Sequence, residues 1–141
     1  MKTKRELTIL QMNDTHGYLN AHQELFRMGD RCLHRVVGGY AKLSGLFKQV
    51  RAERGRDAVL ALDNGDTLHG TFPAVYSRGE ALIEPLKQLA LDAWTMHWDI
   101  VYGPDRLQEL AGQLDHPLLA LNGYHAESDR PAFQPSTVIE R

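Results

Sequence analysis

The sequence predicts an α/β fold built on a mostly parallel sheet. Three observations carry that expectation: apolar runs of strand length, helical segments between them, and polar turn formers closing the runs. The first run, ELTILQM (6–12), is rich in β-favouring residues and stops at Asn13 and Asp14. GGYAKLSGLFKQVRAERG (38–55) repeats Leu43, Leu46, Phe47 and Val50 at helical spacing, with Gly55 as a stop. AVLAL (58–62) is continuously apolar, as a buried parallel strand requires. GEALIEPLKQLAL (79–91) predicts a second helix, in which Pro85 implies a kink or a first turn that begins late. DAWT (92–95) is a short strand, PDRLQELAGQL (104–114) a third helix with Pro104 in its first turn, and PLLAL (117–121) a fourth strand. Residues 19–37 read as a long loop, and STVIER (136–141) as the opening of a further strand.

Composition narrows the function classes. The chain has 141 residues, one domain's worth, and a formal net charge of −2. That balance offers no basic surface for nucleic acid or an anionic membrane, and the apolar runs are too short for a membrane span. The opening MKTKRELTIL lacks the apolar core and cleavage site of an export signal, so a cytoplasmic location is expected for the chain as written. The single cysteine, Cys32, excludes an internal disulfide and a Cys-rich zinc site.

Polar chemistry collects where the strands end. Ligands of open α/β sheets bind beyond the carboxyl ends of the strands. Strand one is followed by NDTHG with Asp14 and His16, and strand two by DNGDTLHG with Asp63, Asn64, Asp66 and His69. Strand three is followed by MHWD with His97 and Asp99, and strand four by Asn122. Carboxylate and imidazole together suit zinc, manganese, iron or cobalt. Asp14 and His16, if the chain leaves its strand extended, would point to one side. Gly65 would let the backbone approach closely beside Asp66, which could bridge two ions. Asp63 and Asn64 read as turn formers and His69 as a loop residue. His22, His34, His116 and His125 have no carboxylate at useful spacing and default to surface or satisfied polar positions.

These segments resemble a known family. ILQMNDTHGYL is similar to the first motif of the 5′-nucleotidase branch of the calcineurin-like metallophosphoesterases, ILHTNDTHG. VGGYAKLSGLFKQVRAE resembles the Gly-Gly helix that follows there, and LALDNGDTLHGT its GDxxxG motif. ALDAWTMHWDIVYGPDRL lines up with GYDAMTLGNHEFDYGPEKL, and HPLLALNGY with FPVLSANV. The resemblance implies that residues 1–141 form the N-terminal half of a four-layer αββα catalytic domain holding two divalent transition metals, manganese or zinc. It implies that Asp14 and His16 bind the first metal, Asp66 bridges, and His97 takes the place of the asparagine on the second. Trp98 falls where the family has its catalytic histidine, so no catalytic residue is assigned. Asn122 is the candidate substrate contact.

The implied activity is hydrolysis of a small phosphate ester or nucleotide, with this chain alone inactive and a separate chain or oligomer completing the domain. A related branch, the thiosulfohydrolases of bacterial sulfur oxidation, carries GHWEFTYG at the same place, which makes a fragment of such an enzyme the alternative. A non-catalytic metal-binding or scaffolding remnant is the third reading. Family members are often periplasmic or extracellular, in contrast to the location expected from the first residues.

Overall fold

The computed structural model describes residues 5–141. The basic opening residues 1–4, on which part of the export reading rests, lie outside the described residues. Strand β1 (Thr8–Met12) is followed by an antiparallel hairpin, β2 (His22–Met28) with β3 (Arg31–Val37), and by helix α1 (Tyr40–Arg54). Then come β4 (Val59–Asp63), helices α2 (Phe72–Tyr76) and α3 (Ile83–Leu89), β5 (Ala93–Thr95), α4 (Pro104–Ala111) and β6 (Leu118–Leu119). The strands β1, β4, β5 and β6 lie side by side in that order as a four-stranded parallel sheet. The four predicted strands and three predicted helices are all present, with shorter ends.

Two expectations are corrected. Residues 22–37 are a regular hairpin rather than a loop, paired from His22↔Val37 to Met28↔Arg31 around Gly29 and Asp30. Gly29 takes a φ of +61°, which a tight two-residue turn between paired strands demands. STVIER forms no strand. The chain near Gln134 instead touches β6, where Ala120 N–H donates to the Gln134 carbonyl at 2.9 Å, and Arg141 ends against the Val59 carbonyl and the Asp92 carboxylate. Of the two expectations for Pro85, the late first turn is the one the structure shows. A 3₁₀ turn (Glu80–Leu82) precedes α3, so Pro85 falls in the first turn, where its missing N–H costs nothing.

Register explains the two faces of the sheet. Thr8, Leu10 and Met12 pair with Val59, Ala61 and Asp63 on one face, and Trp94 and Leu118 continue that row. This face packs with Tyr40, Phe47, Leu82, Leu86, Leu89, Leu107 and Leu110 from the helical layer to form the core. The opposite face carries Ile9, Leu60, Leu62, Ala93 and Leu119, and Ile9 is 59% exposed. Parallel sheets are ordinarily buried on both sides. Among the described residues no helix is long and apolar enough to cross a membrane.

Candidate metal centre

The loops after β1 and β4 are zipped together by their backbones. Asn64 N–H donates to the Met12 carbonyl, Asp14 N–H to Gly65, and His16 N–H to Asp66, all between 2.8 and 2.9 Å. Asp14, His16 and Asp66 adopt φ of +53°, +47° and +60°. Side chains rarely take this left-handed conformation, and where it occurs it often marks a functional site. Asp14 and His16 therefore do not leave β1 as extended strand. They meet because the chain curls, which brings His16 Nε2 to 3.6 Å from Asp14 Oδ1.

Asp99 braces the second loop. It is completely buried at the start of a 3₁₀ turn (Trp98–Tyr102). Its Oδ1 accepts the N–H of Thr67 and Leu68 at 2.8 and 2.7 Å, and its Oδ2 that of Asp66 at 2.9 Å and of His97 at 3.2 Å. Gly65 fits beneath with φ +88°. A Cβ there would lie 2.6 Å from the Thr95 carbonyl and 2.7 Å from His97 N, so the close approach expected of this glycine is real. Asp63 serves as the expected turn former, accepting Gly65 N–H at 2.9 Å and the Thr67 hydroxyl at 2.8 Å. Burial pushes its pKa up to about 7, against the pull of those two bonds.

Around this scaffold the polar side chains converge on Asp66, which is 4% exposed. His97 Nδ1 stands 2.8 Å from Asp66 Oδ2, and His16 Nε2 3.6 Å from the same oxygen. Donor atoms of Asp14, Asp66 and His97 lie within 4.8 Å of one another. The donor set, two carboxylates with imidazole, fits a divalent transition ion. Burial alone would raise the Asp66 pKa, but hydrogen bonds from His69, His97 and the Trp98 N–H outweigh it and hold the carboxyl at about 2. Asp66 is thus an anion at every physiological pH.

His97 faces Asp66 rather than the apolar core, which answers its placement between Trp94, Met96 and Trp98. Trp98 is 63% exposed and meets the His97 ring edge-on, with centroids 6.0 Å apart. Asn122 is exposed beyond β6 and borders a cavity with Thr95, Met96 and His97, so it stands beside the cluster rather than in it.

Sequence reasoning missed two residues. His69 is not an idle loop residue, because its Nε2 lies 2.7 Å from Asp66 Oδ1. Its position three residues after Asp66 was the available signal. His116 is neither on the surface nor satisfied: it is 7% exposed, its Nε2 finds no hydrogen-bond partner, and burial lowers its pKa. Cys32 is exposed on the hairpin.

The parallel sheet, with ligand-type side chains curled over its carboxyl edge, has the fold found in part of the calcineurin-like phosphoesterase YfkN of Bacillus subtilis, and is consistent with a metallophosphoesterase half-domain. Within that class the chain is related in sequence and fold to the 5′-nucleotidase branch, whose N-terminal part it matches. It is 33% identical over 140 residues to the "Probable 5'-nucleotidase" of Treponema pallidum (strain Nichols), covering 96% of this chain and 23% of that protein. The 5′-nucleotidase precursor of Thermus thermophilus superposes with a TM-score of 0.75 at 26% identity, over 94% of this chain and 26% of that one. The sulfate thiohydrolase SoxB of the same organism superposes with a TM-score of 0.79 at 19% identity, over 95% and 33%. The chain thus spans about a quarter to a third of the length of these relatives. No family model matches the sequence.

Proposed function

We propose that this chain supplies one half of a two-metal hydrolase centre of 5′-nucleotidase type, acting on small phosphate esters or nucleotides. The observation that carries the reading is the convergence of Asp14, Asp66 and His97 at adjacent strand ends, with His16 beside them. In it Asp14 and His16 hold one divalent cation, His97 a second, and Asp66 is shared. Manganese and zinc are the ions the donor set favours. Bound there, the cations would polarise the phosphoryl group and activate the attacking water. Asp66, ionised and nearly buried, supplies the fixed negative charge that holds them. The cavity of about 360 Å³ beside His97, bordered by Asn122, gives a small substrate room next to that charge.

Position 98 limits the chemistry. An indole donates one hydrogen bond and does not release a proton at neutral pH. Trp98 therefore cannot protonate a leaving group, and in this reading the chain does not turn over substrate unaided. The sparsely covered apolar sheet face, with Ile9, Leu60, Leu62 and Leu119, supports residues 1–141 being the N-terminal part of a larger sandwich, completed by a second sheet. That sheet would come from further sequence, from a separate chain or from another copy.

The pair His97-Trp98 favours a second reading, in which the completed centre acts on a sulfur-linked substrate as a thiosulfohydrolase does. Calorimetric titration with Mn²⁺ and Zn²⁺ tests the shared premise. Wild type should bind, and Asp66→Asn should weaken binding at least about tenfold, in the range known for disturbed metal sites. Equal binding by both proteins would leave only the scaffolding reading.

A further inference from the structure

The two oxygens of Asp66 have different surroundings. Oδ2 faces His97 Nδ1 and His16 Nε2, the direction in which the candidate ligands converge. Oδ1 is turned away and is held by His69 Nε2 at 2.7 Å and by the Trp98 backbone N–H at 3.2 Å. His69 is built into this place. Its side chain is 18% exposed, and its ring meets that of His16 at a centroid distance of 5.1 Å and an angle of 68°. Gly70, with φ +107°, lets the same segment lie directly on the His16 backbone, since a Cβ there would sit 2.6 Å from the His16 carbonyl. One histidine therefore touches two of the four candidate ligands, Asp66 and His16.

We propose that His69 is a positioning residue of the metal centre: it donates its Nε2–H to Asp66 Oδ1, so that Oδ2 alone is presented to the cations, and its ring edge fixes the imidazole of His16. The inference rests on the metal-centre reading above and adds a residue to it. Two arguments favour orientation over ligation. His69 Nε2 bonds Oδ1 at 2.7 Å, a normal charge-assisted hydrogen bond, whereas His97 and His16 face Oδ2, the oxygen on the side of the other candidate ligands. And a carboxylate held by two donors on one oxygen loses the rotational freedom that would otherwise oppose cation binding. Partners that orient ligands in this way are commonly worth about 10–100-fold in metal affinity.

The test compares Mn²⁺ titrations of wild type, His69→Ala, His69→Gln and Asp66→Asn. Removal of the ring in His69→Ala should weaken affinity roughly 10–100-fold. His69→Gln, whose amide N–H can reach the same oxygen, should recover most of the lost affinity, since the donor to Asp66 is restored and only the ring contact with His16 is missing. Wild-type affinity in His69→Ala would overturn the proposal. So would a glutamine variant no better than alanine, because the imidazole itself would then be needed as a ligand. Equal affinity of wild type and Asp66→Asn is a different failure: it removes the metal centre itself, and the role of His69 with it. A measurement on unmutated, metal-free protein guards against variants that do not fold. In ¹⁵N-edited spectra the His69 ring should carry its proton on Nε2, and a proton on Nδ1 alone would contradict the assigned bond.

Discussion

Asp99 holds Asp66 through the backbone: the buried carboxylate accepts the Asp66 N–H at 2.9 Å, and those of Thr67 and Leu68 at 2.8 and 2.7 Å. A residue in the turn after β5 thereby sets the conformation of the loop after β4, including the +60° φ of Asp66.

Replacing that carboxylate is therefore expected to damage stability and the site together. Asp99→Asn keeps the size but turns an amide toward backbone donors, leaving buried N–H groups unpaired at roughly 1–3 kcal/mol each. Thermal denaturation of the variant should show a Tm lower by several degrees, and Mn²⁺ titration should show weakened binding. An unchanged Tm would mean that the four N–H groups find other partners.

Gly65→Ala should be worse than its single added carbon suggests. The Cβ would meet the Thr95 carbonyl at 2.6 Å and His97 N at 2.7 Å, in a backbone conformation that only glycine adopts freely. A loss on the order of 2–4 kcal/mol is expected, in the range of strained or overpacked buried sites. Chemical denaturation checks it, and a loss below about 0.5 kcal/mol, the usual scale of surface changes, would contradict the packing described.

Asp63 predicts a pH dependence with a definite sign. Its folded pKa of about 7 lies above the ordinary carboxyl value, so the folded state binds more protons between the two. Stability from this group is complete below about pH 4 and declines as pH rises to about 7. Asp63→Asn removes the charge, so it should unfold at a higher temperature than wild type at pH 8, by a margin on the order of 2–4 kcal/mol. The margin should vanish near pH 4. A margin that does not change with pH would show Asp63 to be ionised without cost.

Turnover by the chain alone is expected to be close to background. General acids contribute about 10²–10⁴-fold, and Trp98 supplies none. Metal-loaded protein assayed with AMP or a nitrophenyl phosphate should release negligible phosphate, whereas robust release would contradict the reading of position 98.

The strand ends were legible because burial writes itself into sequence. Apolar runs such as AVLAL became Val59–Asp63, and the ligand-type residues stood directly after them. The hairpin was not legible because nearly all of His22–Met28 and Arg31–Val37 is exposed, so no buried face imposes alternation. Only Gly29-Asp30, a two-residue turn signal, announced it. The left-handed curl at Asp14 and His16 was hidden for another reason. It is imposed by bonds to Gly65 and Asp66, far along the chain, and no local propensity encodes it. His69 and Asp99, both visible at the strand ends, act through such long-range or turn-borne bonds, so their roles emerged only with the fold.

The central claim is that Asp66 and His97 hold a cation between them. Crystals of the protein grown with Zn²⁺ and measured at the zinc absorption edge test it most directly. An anomalous peak about 2.0–2.2 Å from Asp66 Oδ2 and from a His97 ring nitrogen, with Asp14 in the same cluster, is the predicted result. Zinc bound elsewhere, with His97 still hydrogen-bonded to an empty Asp66, would contradict it.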